Sequence, residues 1–129
     1  MKREVITTGA ASSAPLSPGI RVGDLLYTSG QVGINRASGE IPVGVREQTQ
    51  QTLENLKEVL EAGGTSLEHV IKATVFLTDM AEFEVMNEVY REYFPTDPPA
   101  RSTLGVLALA REEFQVEIEL TALVPGERE

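Results

Sequence analysis

Apolar positions along this chain recur with two different periods. Over Val45–Ala62, Val45, Thr49, Thr52, Leu53, Leu56, Val59 and Leu60 return at three- and four-residue spacing, while Glu47, Gln51, Glu54 and Glu58 fall on the other side. That spacing predicts an amphipathic helix, and Gly63-Gly64 behind it supplies a left-handed stop. Residues 114–123 alternate instead. Phe114, Val116, Ile118, Leu120 and Ala122 point one way, and Gln115, Glu117, Glu119 and Thr121 the other, which predicts a half-buried strand. Val70–Leu77 is apolar except for Lys72 and threonines, as a central strand is. A second helix is predicted from Asp79, with its carboxylate as cap and Glu82 three residues on in a capping-box-like arrangement. Phe83, Met86, Tyr90 and Phe94 share its apolar face, and Pro95 ends it. Short strands are expected at 5–7, on either side of the Gly23-Asp24 turn, and at 102–109. The order β-β-β-α-β-α-β-β predicts an α+β domain. It has six strands, mainly antiparallel, and two helices on one face. The other sheet face would carry Glu117, Glu119 and Thr121 among apolar strands and is expected to pack against further copies of the chain.

Length and composition narrow this picture. The 129 residues make one domain, taken as 1–129, with 41% hydrophobic and 24% charged residues, typical of a globular protein. Residues 10–19 are small and Pro-rich and read as an ordered arm, not a linker. Cysteine is absent and His69 is the single histidine, so disulfides, thiolate catalysis and multi-His metal sites lack material. With 11 basic against 20 acidic residues the net charge is -9. That balance repels nucleic acid and anionic membranes. The N-terminus has no apolar run behind its charges, and no stretch reaches the ~20 apolar residues of a membrane span. A cytoplasmic protein is expected.

Four places could carry chemistry. Arg101 follows Pro98 and Pro99, which stiffen its backbone. It is either a carboxylate-binding guanidinium or an ordinary surface or salt-bridging arginine. Glu117 is a carboxylate in the middle of a strand, either solvated or partly buried near Arg101 where it would hold a water; Glu119 competes for that role. Ser29 offers a hydroxyl and Gly30 a close backbone approach, unless they are a strand end and a bulge. No histidine is at hand to make Ser29 a nucleophile. Asn87 lies on the apolar face of the second helix, bracing a loop or touching a ligand. His69 reads as a surface residue, and no phosphate-binding glycine motif occurs.

The segments YTSGQVG, TLENLKEVLEAGG, VIKATVFLTDM, FEVMNEVYREYF, PPARST and VEIELTA stand in this order between Tyr27 and Ala122, and the likeness they carry runs over residues 15–124. Together they resemble the RidA (YjgF/YER057c/UK114) family of enamine and imine deaminases. The resemblance implies a chorismate-mutase-like fold and a homotrimeric barrel with active sites in the clefts between subunits. It implies hydrolysis of reactive 2-imino acids, released as enamines by pyridoxal-phosphate-dependent enzymes, to 2-keto acids and ammonia, with no metal or organic cofactor. By motif match, Arg101 would grip the substrate carboxylate and Glu117 would orient the water. Ser29 and Gly30 would line the substrate, Asn87 would lie beside the cleft, and Thr103 would occupy a pocket position that is often Cys in relatives. The chain departs from the family at 15–18, where many deaminating members carry Pro-Tyr-Ser-Gln and this one has Pro15-Leu16-Ser17-Pro18. Leu16 has no phenol to donate, which favours a bulkier or more apolar imine, or lower activity. The competing expectation is a non-catalytic small-carboxylate-binding or regulatory protein on the same fold. Ribonuclease activity, a label some members carry, sits badly with the acidity and the single histidine.

Overall fold

The computed structural model describes residues 1–9 and 14–126. The arm expected over 10–19 is therefore described from residue 14 onward; its part at 10–13, and the end of the chain at 127–129, lie outside the described residues. Strands β1 (Arg3–Ile6), β2 (Gly19–Val22), β3 (Leu25–Thr28) and β4 (Gln31–Val32) precede helix α1 (Val45–Ala62). Strand β5 (Val70–Leu77), helix α2 (Phe83–Tyr93), and strands β6 (Ala100–Gly105) and β7 (Val116–Leu123) follow. They form one sheet in the order β1-β2-β3-β7-β5-β6, with β4 also on β7. Among the described residues only β5 and β6 pair in parallel, because α2 returns the chain between them; the other pairs are antiparallel.

Among the described residues the sheet has seven strands where six were expected. The additional strand, β4, is too short to show alternation. It exists because β7 is eight residues long and β3 covers only one end of it: β3 pairs with Thr121, Ala122 and Leu123, and β4 resumes the same edge opposite Glu117 and Ile118. Ser29-Gly30 is thus an interruption in what would otherwise be one continuous strand. In the gap, the Leu120 amide donates to Thr28 Oγ1 at 2.9 Å.

Helix α1 spans the predicted residues, and its predicted stripe is buried. Two polar residues, Gln48 and Asn55, are buried on that stripe as well. Gly64 adopts φ +85° and is the left-handed stop, whereas Gly63 is needed for contact: a Cβ there would overlap Leu26. The second helix begins later than expected. Asp79 accepts from the Ala81 amide at 2.9 Å, but it caps a single 3-10 turn, Met80–Glu82, ahead of α2. The reciprocal side-chain bond from Glu82 is absent among the described residues.

Strand β6 runs over Ala100–Gly105 rather than 102–109, because its parallel register with β5 starts at Lys72 and ends at Leu77. Residues 106–115 are loop. Leu26, Leu53, Leu56, Leu60, Leu77, Met86, Ile118 and Val116 fill the core between helices and sheet. No helix among the described residues is long and apolar enough to cross a membrane.

Candidate active site

Arg101 lies on β6 in register with Ala73 and, beyond it, Leu120, both buried under the helices. Its side chain therefore rises on the helix side of the sheet. The guanidinium carbon stands 4.7 Å from the centre of the Tyr90 ring and 5.7 Å from that of Phe83. Met86 Sδ lies 4.0 Å from Nη1. Phe83, Met86 and Tyr90 fall at three- and four-residue spacing on α2, so one helix face forms this seat. An arginine over an aromatic face is held by the ring quadrupole without spending its hydrogen-bond donors. No carboxylate pairs with Arg101 among the described residues. It is neither a free surface arginine nor a salt bridge; its fork of donors is directed by aromatic packing and left without an anion.

The cleft beside it has a volume of about 260 Å³ and is lined by Arg101, Asn87, Tyr90, Arg91, Phe94, Pro98 and Pro99. Asn87 is half-buried here, and its amide has no hydrogen-bond partner among the described residues. Among the described residues it braces no loop through a side-chain hydrogen bond. Burial pushes the Tyr90 phenol up to about 12, although the Arg101 charge pulls the other way. The hydroxyl is buried without a partner.

Glu117 lies on β7 in register with Phe76, on the opposite face of the sheet from Arg101. The proximity of Glu117 to Arg101 considered from the sequence does not occur within one chain. Glu117 belongs instead to a second cleft of about 470 Å³, shared with Leu16, Ser29, Gly30, Val32, Ile34, Arg36, Arg111 and Phe114. Gly30 packs directly on it: a Cβ at Gly30 would overlap the Glu117 carboxylate. The backbone interruption between β3 and β4 is what brings Gly30 there. The Glu117 carboxyl is held above the usual range, first by burial and then by the charge of Glu119. Glu119 is exposed on the same face and does not line this cleft.

The Ser29 hydroxyl donates to the Ser17 carbonyl at 2.6 Å, and the Ser29 amide donates to the Pro18 carbonyl at 2.9 Å. Its proton pins the arm that carries Leu16, so toward a ligand Ser29 offers lone pairs. Thr103 is in register with Val75 on the helix side, lines neither of these clefts, and buries a hydroxyl without a partner. His69 closes a 3-10 turn beside Glu68, 3.6 Å away.

Two residues the sequence reading passed over hold the second cleft in shape. Gln48 Nε2 donates to the carbonyls of Pro42 and Glu113, and its Oε1 accepts from the Gln115 amide. Asn55 Nδ2 donates to the carbonyls of Val32 and Ile34. Both carry cleft walls back to α1. Their signal was present: residues 48, 52, 55 and 59 form one helical stripe that falls on the buried side of α1, and two of its members are amides. Among the described residues no group of three or more His, Asp or Glu side chains is arranged to hold a metal.

The sequence profile described as "Endoribonuclease L-PSP" matches residues 7–124. The 2-iminobutanoate/2-iminopropanoate deaminase of Mus musculus is 44% identical over 124 residues, covering 94% of this chain and 91% of that protein. A RutC family protein of Pyrococcus horikoshii is 44% identical over 124 residues, covering 95% and 98%. The crystal structure of E. coli TdcF with bound serine superposes with a TM-score of 0.88 at 35% identity, covering 93% of this chain and 98% of that one.

Proposed function

The chain belongs to the endoribonuclease L-PSP family, the YjgF/RidA proteins, and on that premise we propose that it is an imine deaminase, hydrolysing 2-imino acids to 2-keto acids and ammonia. The observation that carries this reading is Arg101: a guanidinium seated on Tyr90 and Phe83, with no carboxylate of its own, opening on a cleft. It is suited to bind the carboxylate of an imino acid through paired N–H donors.

Water then adds to the imine carbon. Glu117, held above the usual carboxylate range by burial and by the charge of Glu119, is a stronger base than an exposed glutamate. It takes a proton as the water oxygen bonds to carbon, and returns a proton to nitrogen. It then carries the proton of the adduct's hydroxyl to nitrogen as the C–N bond breaks, so that ammonia departs and the oxygen is left as the ketone. The substrate is already electrophilic, so orientation supplies much of the rate.

Arg101 and Glu117 lie on opposite faces of one sheet, so a single chain holds two half-sites. We place the complete site between copies, one lending Arg101 with Asn87 and its neighbour lending Glu117, Ser29, Gly30 and Leu16. The sheet face without helices, which carries Tyr27, Leu104 and Leu123 partly exposed, is the surface for that assembly, a homotrimer.

The test couples a pyridoxal-phosphate-dependent threonine dehydratase to this protein and follows imine decay against 2-keto acid. Arg101→Ala and Glu117→Gln are each expected to be inactive and folded. Mixed and reassembled in equal amounts, they should regain roughly a quarter of the wild-type sites, because some interfaces then pair an intact Arg101 with an intact Glu117. Activity in Arg101→Ala would refute the carboxylate assignment. Inactivity of the mixture would refute the shared site.

A further inference from the structure

Two arginines, Arg36 and Arg111, line the cleft that holds Ser29, Gly30 and Glu117. In a chain of net charge -9 this convergence runs against the average. The reaction above uses neither, since its carboxylate is taken by Arg101. Arg111 lies over Phe114 at 5.7 Å and reaches Glu113 at 3.4 Å. Arg36 has no carboxylate partner among the described residues. Its Nη2 donates to Gln31 Oε1 at 2.9 Å, and Gln31 is only 7% exposed. The guanidinium is therefore moored to a buried amide and keeps most of its five donors.

The loop beneath it is closed on itself. Asn35 Oδ1 accepts from the amides of Ala37 and Ser38, and the Asn35 amide donates to the Glu40 carbonyl at 2.8 Å. Arg36 is itself exposed, and a cation tethered at one nitrogen in this way recognises anions at a reduced ordering cost. The lining it shares is otherwise largely apolar, with Leu16, Val32, Ile34 and Phe114. A ligand that satisfies both has an aliphatic stem ending in an anion.

We propose that Arg36 is a specificity-determining residue that selects imino acids carrying a second, distal carboxylate on an aliphatic stem. The proposal rests on the deaminase reading and adds the substrate class to it. Leu16 then packs on the stem, where the family tyrosine would place a phenol.

Two measurements test it. In the first, imines are made in solution by an amino-acid oxidase from glutamate and from 2-aminobutanoate, and kcat/KM is taken for each. The wild type should favour the dicarboxylic imine, and Arg36→Met should lower the ratio of the two by about tenfold, the worth of a hydrogen bond to a charged group. Arg36→Lys should restore part of the ratio, whereas Arg21→Met, at a half-buried arginine outside the cleft, should leave it unchanged. In the second, calorimetry compares 2-oxoglutarate with 2-oxobutanoate binding to the assembled protein, with the same loss expected for the dicarboxylate. A ratio unmoved by Arg36→Met, or a wild type that prefers the monocarboxylate in both assays, overturns the proposal. If neither imine is turned over, the deaminase reading fails, and the calorimetric ratio alone decides the role of Arg36.

Discussion

Gln48 offers the sharpest test of how the second cleft is held. It is 1% exposed, and all its amide hydrogen-bonding is directed at backbone, of Pro42 nearby and of Glu113 and Gln115 far along the chain. It donates to Pro42 at 2.9 Å and to Glu113 at 2.8 Å, and it accepts from the Gln115 amide at 2.8 Å. Gln48→Leu keeps nearly the same volume, so little of its effect is a cavity. The Pro42 and Glu113 carbonyls lie near the surface and recover water at small cost. The Gln115 amide is left half-buried without an acceptor, a loss of about 1–3 kcal/mol, and the other two bonds add roughly 0.5–1.5 kcal/mol each. We expect about 3 kcal/mol of destabilisation, a large part of a typical domain's stability. The assay is urea unfolding at fixed protein concentration, since assembly would couple stability to concentration. Hydrogen exchange should show protection lost at Gln115 first. A shift below about 1 kcal/mol, with Gln115 still protected, would refute the argument that this amide anchors the cleft.

Two further predictions follow from Glu117. Gly30→Ala should abolish turnover while changing stability little, because the added methyl displaces a side-chain carboxylate and not backbone; kinetics beside thermal unfolding check it, and a fully active variant would remove Glu117 from the mechanism. Glu117→Gln should stabilise the fold at neutral pH. The folded carboxyl is raised above the unfolded value of 4.5, so its burial is tolerated while it is protonated and becomes costly as pH rises through the raised value. The gain from the substitution should shrink as pH falls through the raised folded value and be gone below about 4.5, and a gain independent of pH would show that charge is not its cause.

The apolar periodicities were sufficient to read α1, β5 and β7 because each is long enough to repeat its pattern. They failed at β4 and at the ends of β6, where pairing with a neighbouring strand, not local pattern, sets the limits. The same division runs through the site. Arg101 and Glu117 stood out as charges in unusual company, yet a linear pattern carries no information about which face of the sheet each occupies relative to the other.

By itself the sequence determined the class of fold and the kind of chemistry. Spacing of apolar residues dictates helices and strands, and the lack of cysteine, the single histidine and the acidic balance narrow the reactions open to the chain. Only tertiary structure decided that Arg101 rests on α2 aromatics, that Gly30 meets Glu117 across a strand interruption, that Ser29 spends its proton on the arm, and that Gln48 and Asn55 brace the cleft. Each of these depends on strand register and on contacts between residues distant in sequence. Those are settled by which surfaces bury one another and which polar groups then need partners.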